Sequence, residues 1–229
     1  MIFGKIEYLN LLPFHIFLKR YLRNSSEKKA WTLRGSVPSR INRIFEAKRV
    51  DAAVISSIKS RHYRCSDFGI VADGEVQSVL LIPGESKSDI ESDTSNQLAN
   101  VLQLKGEILI GDKALRFWVK DPNGAIDLAS AWKEKEGLPF VFARLCAHPP
   151  YRDRIGKMTK TFFKSPPKVP YRILRSEAQK HGITTKQLQE YLDKIYYRLK
   201  WREKKALKRF FLLSRLKQKN NTFEKCKKT

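Results

Sequence analysis

Gly4-Lys5-Ile6-Glu7-Tyr8-Leu9-Asn10-Leu11-Leu12-Pro13-Phe14 opens the chain as a strand that stops at a polar residue. Ile6, Tyr8 and Leu9 suit a strand. Pro13 stands where a helix takes its first residue, because its fixed φ fits there and its missing N–H is not needed. Asn10 then falls at the carboxyl end of the first strand, the edge at which open α/β sheets hold ligands. The other reading of the same amide is a cap on the helix that follows.

Outward from this stretch the pattern repeats. Phe14, Phe17, Leu18 and Tyr21 share one face of a helix. A polar linker at 24–29 leads to a short strand at 31–34. Gly35-Ser36-Val37-Pro38-Ser39 turns the chain into a second helix, with Ile41, Ile44 and Phe45 inward and Arg40, Arg43 and Lys48 outward. Asp51-Ala52-Ala53-Val54-Ile55-Ser56-Ser57 is a buried strand of small residues ending in two hydroxyls. Strand, helix, strand, helix, strand implies a parallel sheet with crossovers.

Further strands are expected at 68–71, 76–82, 107–112 and 138–143, with turns at Asp73-Gly74 and Pro83-Gly84. A polar loop over 86–94 precedes a helix starting near Thr94-Ser95-Asn96. Those side chains either cap the helix or join its free N–H groups in facing an anion. Residues 126–135 form an amphipathic helix ended by Gly137. Beyond Ala147 everything reads as helical and basic, apart from a Pro-rich break at 165–170.

The 229 residues are 41 % apolar, enough for a core in one or two domains. No run suits a membrane span and no basic-then-apolar leader opens the chain, so a cytoplasmic protein without a secretion signal is expected. Cys65, Cys146 and Cys226 are odd in number and far apart, which reads as reduced thiols without metal-ligand spacing. The net charge is +23, and residues 147–229 carry +18 of it, with 24 Lys/Arg against 6 Asp/Glu. Such a field draws nucleic acid, an anionic membrane or a small polyanion, and charge alone does not choose among them.

His15, His62, His148 and His181 have no spacing that makes a metal site or a triad, and no Gly-rich phosphate loop is present. Asp112 is the one acid at a strand end. The other polar groups gathered there are neutral: Asn10, Ser36, Ser56, Ser57, Ser78, Thr94 and Ser95. Neutral donors around a cleft in a basic protein suit a small carboxylate ligand. Residues 175–192 look like a helix-turn-helix, with Gly182 at the turn, Thr184-Thr185 capping and Lys186 available to phosphates. Against a nucleic-acid role, Leu188, Tyr191, Leu192, Ile195 and Leu199 make one apolar stripe at helical spacing, so these helices dock on the rest of the chain.

In order and spacing, these motifs resemble the chorismate dehydratases of the futalosine route to menaquinone. The matching residues are 4–10 with Leu12-Pro13, Val37-Pro38-Ser39, Asp51-Ala52-Ala53 with Ser56, and Asp73-Gly74-Glu75-Val76-Gln77-Ser78. They continue through Thr94-Ser95, Leu109-Ile110-Gly111-Asp112-Lys113-Ala114-Leu115-Arg116, and Trp132 with Gly137 to Ala143. The sister enzyme, dihydroxynaphthoate synthase, would begin with a Ser-Pro-Cys-Pro-Asn-Asp type motif where Tyr8-Leu9-Asn10 stands. The resemblance implies an α/β fold of the two-lobed type II periplasmic-binding-protein kind. Lobe 1 is expected over 1–77 plus 147–229, including the helical C-terminal region, and lobe 2 over 78–146. Few residues separate Leu102 from Ile108, so the second lobe is expected to be trimmed.

The implied reaction is loss of water from chorismate to give 3-[(1-carboxyvinyl)oxy]benzoate, with no cofactor, metal or nucleic acid. On the resemblance, Asn10 and Ser78 act at the reacting edge, and Ser56, Thr94, Ser95 and Asp112 contact the substrate. The base is either the substrate's own enolpyruvyl carboxylate or Asp112. The alternatives are a non-catalytic small-carboxylate binding protein or a basic nucleic-acid-binding protein. Oligomeric state is not encoded in any motif.

Overall fold

In a computed structural model that describes residues 1–23, 31–89 and 92–226, β1 (Ile2–Ile6) lies between two parallel partners, β2 (Thr32–Ser36) and β3 (Ala52–Ser56). The crossovers are α1 (Leu12–Arg23) and α2 (Pro38–Glu46), as the alternating pattern requires. Pro13 and Pro38 each sit in a first helical turn, where a missing N–H costs nothing. The expected linker at 24–29 lies outside the described residues.

After a single turn of helix, α3 (Ser57–Ser60), the chain forms β4 (Cys65–Ala72) and leaves for a second sheet. That sheet holds β5 (Val79–Pro83), β6 (Gly106–Ile110) and β7 (Ile126–Asp127) in the order β6-β5-β7. Around it lie α4 (Asp93–Leu102), α5 (Gly111–Lys120) and α6 (Leu128–Glu136). Gly137 closes α6 with φ +67, the left-handed cap that glycine takes without steric cost.

The chain then returns as β8 (Phe140–Ala147), which inserts antiparallel between β3 and β4. The larger sheet therefore runs β2-β1-β3-β8-β4-β9. Residues 140–146, expected within lobe 2, have their backbone ladder in the larger sheet. Residues 76–78, read as the start of a strand, are instead the connection between sheets, with Gln77 at φ +63.

The C-terminal region comprises α7 (Arg152–Lys164), α8 (Tyr171–His181), α9 (Thr185–Asp193), β9 (Ile195–Arg198) and α10 (Trp201–Cys226). Gly182 and Thr184 form the turn as read, and Thr184 makes a capping box with Gln187. The all-helical expectation fails at 195–198. Ile195, Tyr196 and Tyr197 are strong strand formers, and the open edge of β4 supplies the ladder that takes them out of the helical stripe.

The core is continuous across these elements. Phe14, Phe68, Phe162 and Tyr197 form an aromatic cluster, with Phe14 and Phe68 centroids 4.5 Å apart. Trp132 of α6 is fully buried, donates Nε1–H to the Pro139 carbonyl, and meets Phe140 and Phe210 edge-on. Its truncation to Ala would cost about 3–5 kcal/mol. α10 thus packs across the smaller lobe as well as the larger sheet, and Arg209 adds a bidentate contact to Glu136. The reduced-thiol expectation is also corrected for one pair: Cys65 and Cys146 stand opposite each other in the β4–β8 register and are joined as a disulfide.

His15 on α1 is largely buried, and burial, followed by the nearby Lys5 charge, lowers its pKa from 6.5 to about 3. The unfolded chain takes up this proton near 6.5, whereas the folded chain refuses it until about 3. Stability is therefore complete above the unfolded value and falls as pH drops through that window, by about 1.4 kcal/mol per pH unit at most. Urea titrations between pH 7 and 4 are expected to show this loss, and His15→Gln to flatten it by about one proton's slope.

Candidate active site

Between the two lobes a cleft of about 620 Å³, open mouth included, is built from strand ends and one helix start. From the larger sheet come Tyr8 and Asn10 after β1, Ser56 at the end of β3, and Phe142 and Ala143 of β8. From the smaller lobe come Ser78, Gly111 and the α4 start with Ser92, Thr94 and Ser95. Among the described residues the lining has no ionisable side chain beyond the Tyr8 phenol.

Asn10 sits in a short 3₁₀ turn, 9–11, between β1 and α1. Its backbone carbonyl accepts the Tyr197 hydroxyl at 2.7 Å. Its side-chain Oδ1 is buried without a hydrogen-bond partner, so it is not spent on capping α1. A buried amide oxygen left open in a cleft wall costs about 1–3 kcal/mol until a donor arrives. Asn10 therefore lines the cleft and does not cap α1 through Oδ1.

Ser78 is buried in the connection between the sheets, and its Oγ accepts the Tyr191 hydroxyl at 3.1 Å. Burial raises the Tyr191 pKa, so the phenol stays protonated and able to donate. Ser78 therefore keeps its own proton for the cleft. The connection that carries it is anchored by the Asp127 carboxylate. One oxygen takes the N–H groups of Val76 and Gln77, at 2.9 and 2.6 Å, and the other caps α6 through Ala129 and Ser130.

Ser56 is held by Asn42 of α2. The amide oxygen takes the Ser56 N–H at 3.1 Å, and Nδ2 donates to the Ser56 hydroxyl at 2.9 Å. The same Nδ2 reaches Asp93 Oδ2 of α4 at 3.2 Å, so Asn42 ties the two lobes at the cleft. Thr94 makes the converse link, its Oγ1 accepting the Ile58 N–H at 3.3 Å.

The start of α4 differs from expectation. Ser92 is the cap, its Oγ accepting the Ser95 N–H at 3.1 Å and donating to the Ser95 hydroxyl at 2.7 Å. Ser95 thus has its N–H occupied and presents a hydroxyl proton instead. Asn10, Ser56, Ser78, Thr94 and Ser95 are brought together; Ser36 and Ser57 are not. Ser57 donates to the Val141 carbonyl inside the sheet.

Asp112 lies outside the lining. Its Oδ2 meets His181 Nδ1 at 2.9 Å, joining α5 to the end of α8. Burial pushes its carboxyl above the usual range, against the pull of His181 and Arg116. Gly111 before it has φ +60, and a Cβ there would stand 3.1 Å from the Tyr8 ring, so glycine lets that ring close the cleft wall. Among the described residues, no group of three His, Cys, Asp or Glu side chains converges as a metal site.

Sequence reading missed Tyr8, Asn42, Ser92, Asp127, Tyr191 and Tyr197. Ser92 had a signal, a hydroxyl just before a helix start, whereas Tyr191 was legible only as part of an apolar stripe.

Comparison with solved structures agrees on the architecture. A protein of Archaeoglobus fulgidus superimposes with a TM-score of 0.68 at 12 % identity, covering 95 % of this chain and 97 % of its own. The periplasmic aliphatic sulphonate binding protein of Escherichia coli gives 0.52 at 12 % identity, over 97 % and 92 %. The fold is therefore that of periplasmic binding proteins. In sequence, a chorismate dehydratase of Campylobacter jejuni is 45 % identical over 215 residues, 92 % of this chain and 96 % of the relative. A family described as menaquinone biosynthesis matches residues 1–102 and 90–215. On both grounds, the chain belongs to this menaquinone biosynthesis family.

Proposed function

We propose that the chain is a chorismate dehydratase, a hydro-lyase converting chorismate to 3-[(1-carboxyvinyl)oxy]benzoate. The observation that carries the reading is the cleft itself: Asn10, whose buried Oδ1 has no hydrogen-bond partner, lines it together with a set of neutral hydroxyls and no charged group. The 45 % identical relative supports chorismate as the substrate.

The ring proton on the carbon bearing the enolpyruvyl ether is lost, and its electron pair spreads into the ring carboxylate. The neighbouring C–O bond then breaks, hydroxide takes up a proton as water, and the ring becomes aromatic. The balance needs neither oxidant nor cofactor. Neutral preorganised donors stabilise the spread charge. Asn10 accepts from the substrate hydroxyl that departs, Ser78 donates to the reacting edge, and Ser56, Thr94 and Ser95 hold carboxylate oxygens. With no carboxylate or imidazole in the lining, the substrate's own enolpyruvyl carboxylate takes the proton, made effective by proximity. Tyr191 positions Ser78. Among the described residues no helix is long and apolar enough to cross a membrane. Work in the cytoplasm would expose the Cys65–Cys146 bond to a reducing thiol pool.

The test is to mix purified protein with chorismate alone and identify the product by mass. A product lighter by one water is expected; unchanged chorismate with folded protein overturns the reading, and chorismate binding without turnover would leave a carboxylate binder. Asn10→Ala and Asn10→Asp are expected to lower kcat by about 100-fold or more while the fold survives. Near-normal rates in both would remove Asn10 from the reaction. Tyr191→Phe is expected to lower kcat about tenfold with little change in KM, the worth of one hydrogen bond to Ser78. Asp112→Asn is expected to keep turnover, and its loss would restore Asp112 as the base.

A further inference from the structure

The charge of the C-terminal region is not absorbed by the cleft, which is lined by neutral groups. On α10, Glu203, Ala206, Leu207, Phe210 and Ser214 are buried against the protein. The opposite face carries Trp201, Lys205, Lys208, Leu212 and Leu216, spaced by three or four residues and so aligned along one stripe about 22 Å long. Trp201 is 70 % exposed, Leu212 46 % and Leu216 49 %. Lys205 lies over the Trp201 ring at 5.2 Å, and exposed Arg215 flanks the leucines.

The acids near this face are already engaged. Asp67 pairs with Lys204, Glu136 with Arg209, and Glu203 turns inward to the Tyr196 hydroxyl and the Lys200 N–H. Lys205, Lys208 and Arg215 have no carboxylate partner among the described residues.

We propose that this outer face of α10 docks on an anionic lipid bilayer, lying in the plane of the headgroups. A tryptophan and two leucines interleaved with lysines is the composition of an interfacial helix, in which apolar side chains enter the headgroup boundary and cations meet lipid phosphates. Nucleic acid would use the lysines but offers nothing to exposed leucines, which cannot stack on bases. A second copy of the chain brings the same positive charge to the contact and is repelled. The smaller lobe remains on the same side through the Arg209–Glu136 contact, so the face is presented by a rigidly held helix.

Co-sedimentation of the full chain with vesicles tests this. Binding is expected to phosphatidylglycerol–phosphatidylethanolamine vesicles at low salt and not to phosphatidylcholine. Leu212→Ser/Leu216→Ser and, separately, Lys205→Glu/Lys208→Glu are each expected to weaken it at least about tenfold. These positions are exposed and lie outside the cleft lining, so circular dichroism should match the wild type. Absence of binding to anionic vesicles overturns the proposal. Binding indifferent to the leucine changes overturns it too, as diffuse adhesion. Duplex DNA displacing the protein from vesicles, with the leucine variant binding DNA as well as the wild type, would assign the face to nucleic acid.

Discussion

Insertion of β8 between β3 and β4 is the constraint on which the rest of this structure depends. A ladder from Ala52–Ala147 to Ser56–Ala143 on one side, and the β4 pairing on the other, brings a strand from late in the chain into the middle of the larger sheet. Backbone N–H and C=O groups of a central strand have no alternative partners once buried, so the insertion is obligatory rather than incidental. It also forces the intervening residues to leave and return at neighbouring points. The smaller lobe must therefore sit over the carboxyl ends of β1 and β3, and the cleft is the consequence.

Within that frame the polar groups are held by a shell of side chains that never reach the ligand space with their own chemistry. Asp127 organises the outgoing connection and the α6 start with four backbone hydrogen bonds. Asn42 fixes Ser56 and crosses to Asp93. Tyr191 and Tyr197, from the C-terminal region, set Ser78 and the Asn10 turn. Each holds a cleft group through hydrogen bonds made within the protein. The basic C-terminal region thus has two faces with separate physics. Its inner side supplies buried tyrosines and core apolar groups, and its outer side carries the charge.

The cleft between the two lobes has no cationic side chain in its lining among the described residues. α10 packs on Trp132 of the smaller lobe while rooted on the larger sheet through Phe140, so one helix spans both bodies. Contacts of that kind limit how far the lobes part.

The amino-acid sequence by itself determined what depends on neighbours within a few positions. Pro13, Pro38, Gly137 and Thr184 mark helix ends because caps and fixed φ values are local. The β1–α1–β2–α2–β3 order followed from periodicity, and with it Ser56 at the end of β3, whereas β1 stops at Ile6 and Asn10 falls in the 3₁₀ turn that follows. The tertiary structure alone decided the contacts across large separations. Tyr191 meets Ser78 across 113 residues, and Tyr197 meets Asn10 across 187. Cys65 and Cys146 pair across 81 because β4 and β8 become neighbours. Residues 195–198 turned from helix to strand because an open sheet edge outweighed local spacing. Asp112 was a candidate by position, and only the approach of α8 showed it facing His181. Local rules are read along the chain, whereas partners and the choice between competing pairings exist only once the chain has closed on itself.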